Sequence, residues 1–305
     1  MTPQKAMTGS AWVEMFLLAL IWGGSFMAAA VALREVGVFT IVAHRVFWAM
    51  LILWAVVWLR GYRLPRDPGM WGAFLVMGIL NNALPFSLFV WGQKFIESGL
   101  VSILNASTAI FGVLVAAIVF ADERLTSRKA IGVTIGFAGV VSTIGVGNLL
   151  SFDVKSTAQL AVVLATICYA CASAWARRTM GGLPPELSAA GMLTGSSLIM
   201  VPVALVVEGA PSVHLLPSTL AALGFFTVVA TAVAYLLYYS VLKRAGSGNL
   251  TLVTLIIPPV AILLGAVFLH ERLDLREFAG FGLVALGLIV IDGRLLGLIR
   301  RGKLG

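Results

Sequence analysis

Charge is what this 305-residue chain has least of: Asp, Glu, Lys and Arg together make up 11% of it, where a soluble domain carries about 25%. The apolar share is 60% and the mean hydropathy +1.02. Water is therefore not the solvent of most of the chain, which excludes a cytosolic enzyme, a secreted disulfide scaffold and a disordered protein. Cysteine is nearly missing too. Cys168 and Cys171 lie three apart in an apolar run with no third ligand beside them, so neither a disulfide framework nor a metal site is read. No H-E-x-x-H, no G-x-S-x-G and no pair of mid-span aspartates occurs. An intramembrane enzyme would lack its nucleophile, base or metal set. No cofactor is expected.

What the chain does contain is apolar runs long enough to cross a bilayer, about 20 residues at 1.5 Å each. Ten are found: 12–33, 38–59, 70–92, 98–120, 129–147, 157–176, 187–207, 217–240, 248–269 and 277–296. The links between them are short and hold the turn residues and most charges, as in Arg60–Pro68 and Arg177–Pro185. Lys5 and Ala28-Ala29-Ala30 raise the possibility of a cleaved leader, but the first run is too long and aromatic, and its loss would leave an odd helix count.

The net charge is +8, from 21 basic and 13 acidic residues. With the N-terminus inside, the inner segments hold 15 of the basic residues (Lys5, Arg60, Arg63, Arg66, Arg124, Arg128, Lys129, Arg177, Arg178, Lys243, Arg244, Arg294, Arg300, Arg301 and Lys303). Outer links hold five, Arg34, Lys94, Lys155, Arg272 and Arg276, and Arg45 lies inside the second span. Positive charge marks the cytoplasmic side, so both termini are expected there. The basic balance is then a matter of orientation, and no nucleic-acid partner is expected.

A shift of 148 residues lays Val119-Phe-Ala-Asp-Glu-Arg-Leu125 on Val267-Phe-Leu-His-Glu-Arg-Leu273, and continues through Arg128/Arg276, Gly132/Gly280 and Gly139/Gly287. Eight identities fall within 119–139, where apolar bias gives about two or three. A duplication follows, with repeats at 12–147 and 157–296. Each holds five spans, and an odd number inverts the second copy. Inverted repeats are the architecture of alternating-access transporters, with a midplane site between the halves. The fold class read from the sequence is thus all-α integral membrane, ten transmembrane helices as two inverted five-helix repeats.

Trp22-Gly-Gly-Ser-Phe26, Arg45 and the twin Glu-Arg-Leu stretches followed by glycines resemble the drug/metabolite transporter superfamily, specifically its ten-helix EamA-type exporters. The general look is similar to bacterial aromatic amino-acid exporters. The resemblance implies a membrane exporter and departs at one place: the fourth span carries Pro258-Pro259 in the second copy but Ile110-Phe111 in the first.

Polar groups inside spans are costly and mark candidates for the solute path. His44 and Arg45 lie in the second span, where Arg45 either snorkels or pairs with a solute carboxylate. Asn81, Asn82, Asn105 and Ser25 offer neutral donors and acceptors, as interhelical glue or solute contacts. Trp22, Trp91, Tyr169, Tyr235, Tyr238 and Tyr239 either pack the core or line an amphipathic pocket, while Trp12, Trp58 and Trp71 read as interface belt. Gly23, Gly24, Pro85, Pro258 and Pro259 are hinge or gate candidates, with close packing and simple kinking as the alternatives. Glu14, Glu97, Asp122, Glu123, Glu208, Glu271 and Asp292 all fall near span ends. A proton pump or a carrier of cations wants a mid-span acid, and nucleotide sugars want several buried cations. The expectation is a facilitator, or a carrier weakly coupled through His44, that moves neutral amino acids, aromatic or large and apolar, outward as a monomer in the lipid bilayer. The alternative is export of other small metabolites or drugs.

Overall fold

The computed structural model describes residues 9–145, 153–212, 214–245 and 253–293, and every regular element among them is helical. We label the helices α1 (Gly9–Ala32), α2 (Val38–Leu59), α3 (Pro68–Gly92), α4 (Ser98–Val119), α5 (Ser127–Ile144), α6 (Val154–Thr179) and α7 (Pro185–Val207). After them come α8 (Pro217–Gly224, Phe225–Val233 and Ala234–Ala245 in succession), α9 (Val253–Leu269) and α10 (Leu275–Asp292). Seven of these, α1 to α4 and α6 to α8, are long and apolar enough to span a membrane, and α9 is a shorter apolar helix. The 18-residue α5 and α10 carry charged first turns and fall outside that group. Positions 146–147, 248–252 and 294–296, expected as span ends, lie outside the described residues.

Local chemistry sets the helix boundaries. Asp67 accepts from Gly69 N at 3.0 Å ahead of Pro68, Asp153 from Ser156 N at 2.7 Å, and Asp274 forms a capping box with Glu277. Three helices are interrupted by wide π-type turns, at Ile79–Ala83 in α3, Phe225–Val233 in α8 and Gly265–Leu269 in α9. In α3 the cause is Pro85: it has no N–H for the carbonyl four residues back, and the Leu84 N–H reaches Ile79 O instead. In α8 Thr231 fills the widened turn, donating to Phe226 O at 2.9 Å. A shift of 148 carries 79–83 onto 227–231, inside the α8 segment.

The pairings across the two halves are symmetric. α1 packs on α9 as α6 does on α4; α3 packs on α7 as α8 does on α2; α3 packs on α6 as α8 does on α1. α2 meets α7, and α5 meets α10. The last pair explains the matched glycines. A Cβ on Gly139 would stand 2.6 Å from Val284 N, and one on Gly287 2.6 Å from Gly132 O, so only glycine lets these backbones touch. The matched arginines follow. Arg276 lies over Gly145 at the C-terminus of α5, and Arg128 over Gly293 at the C-terminus of α10. Each places a cation on its partner helix's negative end, where both glycines take positive φ, 87° and 72°.

Side-chain contacts sort the links into two ends. At one end, Glu35 accepts from Leu216 N at 3.0 Å and from the Thr219 hydroxyl. Glu208 accepts there from Phe39 N and Thr40 N at 3.1 and 2.8 Å, and Glu271 accepts from Ser98 and Gly99. At the opposite end Arg60 pairs with Glu186, Arg177 with Asp122 and Glu123, and Arg244 with Glu14.

Candidate functional site

Arg45 faces inward. It is only 9% exposed, and its guanidinium is stacked between the rings of Phe86 of α3 (3.7 Å to centroid) and Phe226 of α8 (4.1 Å). Its Nε–H donates to Thr231 Oγ1 at 2.8 Å. Each stacking contact offsets about 0.5–2 kcal/mol of the cost of burying the cation, and a charge-assisted hydrogen bond about 1.5–3. Among the described residues no salt bridge joins Arg45 to a carboxylate, and its one hydrogen bond is made by Nε, not by the terminal amino groups. A planar fork of donors is left, matched to a carboxylate. The snorkelling alternative does not describe this side chain.

Beside it, the π-type turn of α3 presents Asn81 and Asn82. The Tyr235 hydroxyl donates to Asn82 Oδ1 at 3.2 Å, and Asn81 Nδ2 approaches Tyr235 Oη at 3.3 Å and Met192 Sδ at 3.6 Å. Asn82 is fully buried, yet its Nδ2 donor has no partner among the described residues. An orphan amide of this kind costs about 1–3 kcal/mol unless something accepts from it. Aromatic rings extend the cluster: Tyr235 stacks on Tyr239 (6.5 Å), Tyr238 meets Tyr239 (5.2 Å) and Trp22 (5.8 Å), and Tyr169 meets Phe89 (5.6 Å). Tyr169 and Tyr235 both lie near Arg45.

Thus Trp22, Arg45, Asn81, Asn82, Tyr169, Tyr235, Tyr238 and Tyr239 come together, on α1, α2 and α3 of one half and α6 and α8 of the other. Other candidates lie elsewhere. His44 turns to the flank, where its Nδ1 accepts from Trp48 Nε1 at 3.1 Å beside a groove of about 840 Å³ between α2 and α8. Ser25 donates to its own helix at Trp22 O, and Trp91 packs on Phe95. Asn105 sits at the break in α4, accepting from the Thr108 hydroxyl. Gly23 is pressed on Val260 of α9 (2.6 Å for an added Cβ) and Gly24 on Phe225 of α8 (3.3 Å). Pro85 shapes the turn that presents Asn81, and α9 runs on through buried Pro258 and exposed Pro259.

Sequence reasoning missed Phe86, Phe226, Thr231 and Met192. Phe86 follows Pro85, and Thr231 lies opposite Ala83 under the 148-residue shift; both signals were readable only with the π-type turns in hand. Outside the membrane-spanning helices, the Arg177 hydrogen bond holds Asp122 below the usual carboxylate range, and the Ser156 backbone N–H does the same for Asp153.

The sequence profile of the EamA-like transporter family matches this chain twice, at residues 9–145 and 156–292. An uncharacterized transporter of Archaeoglobus fulgidus is 26% identical over 290 residues, 92% of this chain and 98% of the relative. The uncharacterized inner membrane transporter YedA of Escherichia coli K12 is 21% identical, with 91% and 89% covered, and the uncharacterized transporter YoaV of Bacillus subtilis is 20% identical, with 90% and 93% covered. A protein of known crystal structure superposes with a TM-score of 0.66 over 94% of this chain and 98% of its own at 20% identity, a likeness of fold. With an all-helical bundle, seven apolar helices of spanning length and two family matches that together cover nearly the whole chain, this protein belongs to the EamA-like transporter family and is a multi-pass membrane transporter.

Proposed function

We propose that this transporter moves neutral amino acids with aromatic or large apolar side chains out of a bacterial cell by alternating access, as a facilitator acting as a monomer. The observation that carries the reading is a pair of donors from which no described residue accepts, the Arg45 fork and the Asn82 amide, set among aromatic rings drawn from both halves. Together they ask for a solute with a carboxylate and an apolar body. The symmetric helix pairings and the sorting of links into two ends support ten crossings in two inverted repeats, and the charge bias supports both termini on the cytoplasmic side of the inner membrane. The test is exchange of labelled phenylalanine in proteoliposomes with a panel of competitors. Tyrosine, leucine and tryptophan are expected to compete, and lysine and glutamate are not. Absence of any amino-acid exchange by protein that moves another solute overturns the substrate class.

A further inference from the structure

Of the twin Glu-Arg-Leu stretches, the second reaches across to the other half. Glu271, in the link from α9 to α10, gives its carboxylate to the N-terminus of α4. Oε1 accepts from Ser98 N at 2.8 Å, while Oε2 accepts from Ser98 Oγ at 2.9 Å and Gly99 N at 3.1 Å. His270 holds the link in a left-handed conformation, φ 58°, and the Glu271 N–H donates to Gly265 O at 3.1 Å. The counterpart, Glu123, pairs with Lys129 at 3.2 Å and Arg177 at 3.3 Å, and positions 246 and 247, which the 148-residue shift sets opposite Ser98 and Gly99, lie outside the described residues.

α4 has no side-chain cap of its own, since Glu97 stands at its N-cap position without a capping bond. Its exposed N–H groups and the positive end of its dipole are met by a residue of the other half. The segment so held, Ser98–Asn105, is buried from Ser98 to Leu104, wedged among α1, α6 and α9, and is separated from Thr108–Val119 by a break at Ala106–Ser107. Two of those neighbours, α1 and α6, carry Trp22 and Tyr169.

We propose that Glu271 is a positioning residue of the transport cycle, a latch that holds the first half of α4 against the opposite repeat. Its release lets that half-helix swing on the break and opens the Arg45 cluster to the Glu271 end. The inference rests on the alternating-access reading, but its test needs no solute, so the two fail separately. In the full-length protein with Cys168→Ala and Cys171→Ala, a single cysteine replaces fully buried Ser102 of α4 or, as a control, fully buried Ser196 of α7. A membrane-impermeant maleimide is applied from the Glu271 side. Glu271→Ala is expected to raise labelling at Ser102→Cys about tenfold with the control unchanged, and Glu271→Gln, which keeps one acceptor and serves if the alanine variant does not fold, about threefold. Unchanged labelling at Ser102→Cys overturns the latch, and so does an equal rise at both positions, which reports general loosening.

Discussion

The two ends of the bundle are tied by different physics. At the Glu271 end, three carboxylates, Glu35, Glu208 and Glu271, each reach from one half to the helix N-terminus of the other, and none pairs with a Lys or Arg among the described residues. At the Arg177 end the ties are ion pairs between side chains: Arg60 with Glu186, Arg177 with Asp122 and Glu123, Arg244 with Glu14. A backbone cap is fixed in direction and satisfies one or two of a helix's orphan donors, while an ion pair whose arginine is about half exposed is partly screened by salt and loses side-chain entropy. Among the described residues one end is held by carboxylate caps and the other by ion pairs. For the alternating access proposed above, this difference would supply two separately adjustable energies.

The difference can be broken at both ends. The largest effect is expected from Arg60→Ala, which leaves the Glu186 carboxylate, 8% exposed, without its cation. A loss of about 1–3 kcal/mol should appear in thermal unfolding in detergent. Glu208→Ala comes next. It removes the charged acceptor of Phe39 N and Thr40 N, and about 1 kcal/mol of stability should go with it. High salt should leave that loss in place. The smallest effect belongs to Asp122→Asn. The Arg177 hydrogen bond lowers the Asp122 pKa in the folded protein, so its contribution is present above the ordinary aspartate value of about 4 and is lost as pH falls through the lowered one. The difference in Tm from wild type should be small at neutral pH, shrink in high salt and vanish in acid.

How much of this was legible in the sequence depends on the kind of signal. Gly132, Gly139, Gly280 and Gly287, with Arg128 and Arg276, stood out because a backbone crossing and a helix C-terminus tolerate few substitutes, and the structure puts all six into the α5–α10 pair. Arg45, Asn81 and Asn82 stood out because polar groups are rare in spans. Their geometry was not legible. Which face of α2 is inward decides between His44 and Arg45, adjacent residues that part company, one to the flank and one to the centre. The apolar runs carry no clean 3.6-residue stripe, because lipid and protein interior are both apolar. The partners of Arg45 depend on π-type turns, and a π-type turn rotates every later side chain on its helix. The carboxylate caps were hidden for a simpler reason: Glu35, Glu208 and Glu271 read as ordinary link charges until their distant N–H partners are in view.

The central claim is that an unpaired Arg45, held between Phe86 and Phe226, binds the solute's carboxylate. The measurement that bears on it most directly is phenylalanine exchange in proteoliposomes by Arg45→Ala, taken with its unfolding temperature. Exchange should fall by about tenfold or more while the unfolding temperature holds or rises, because a buried cation without a counter-ion costs stability. Exchange at the wild-type rate would contradict the account.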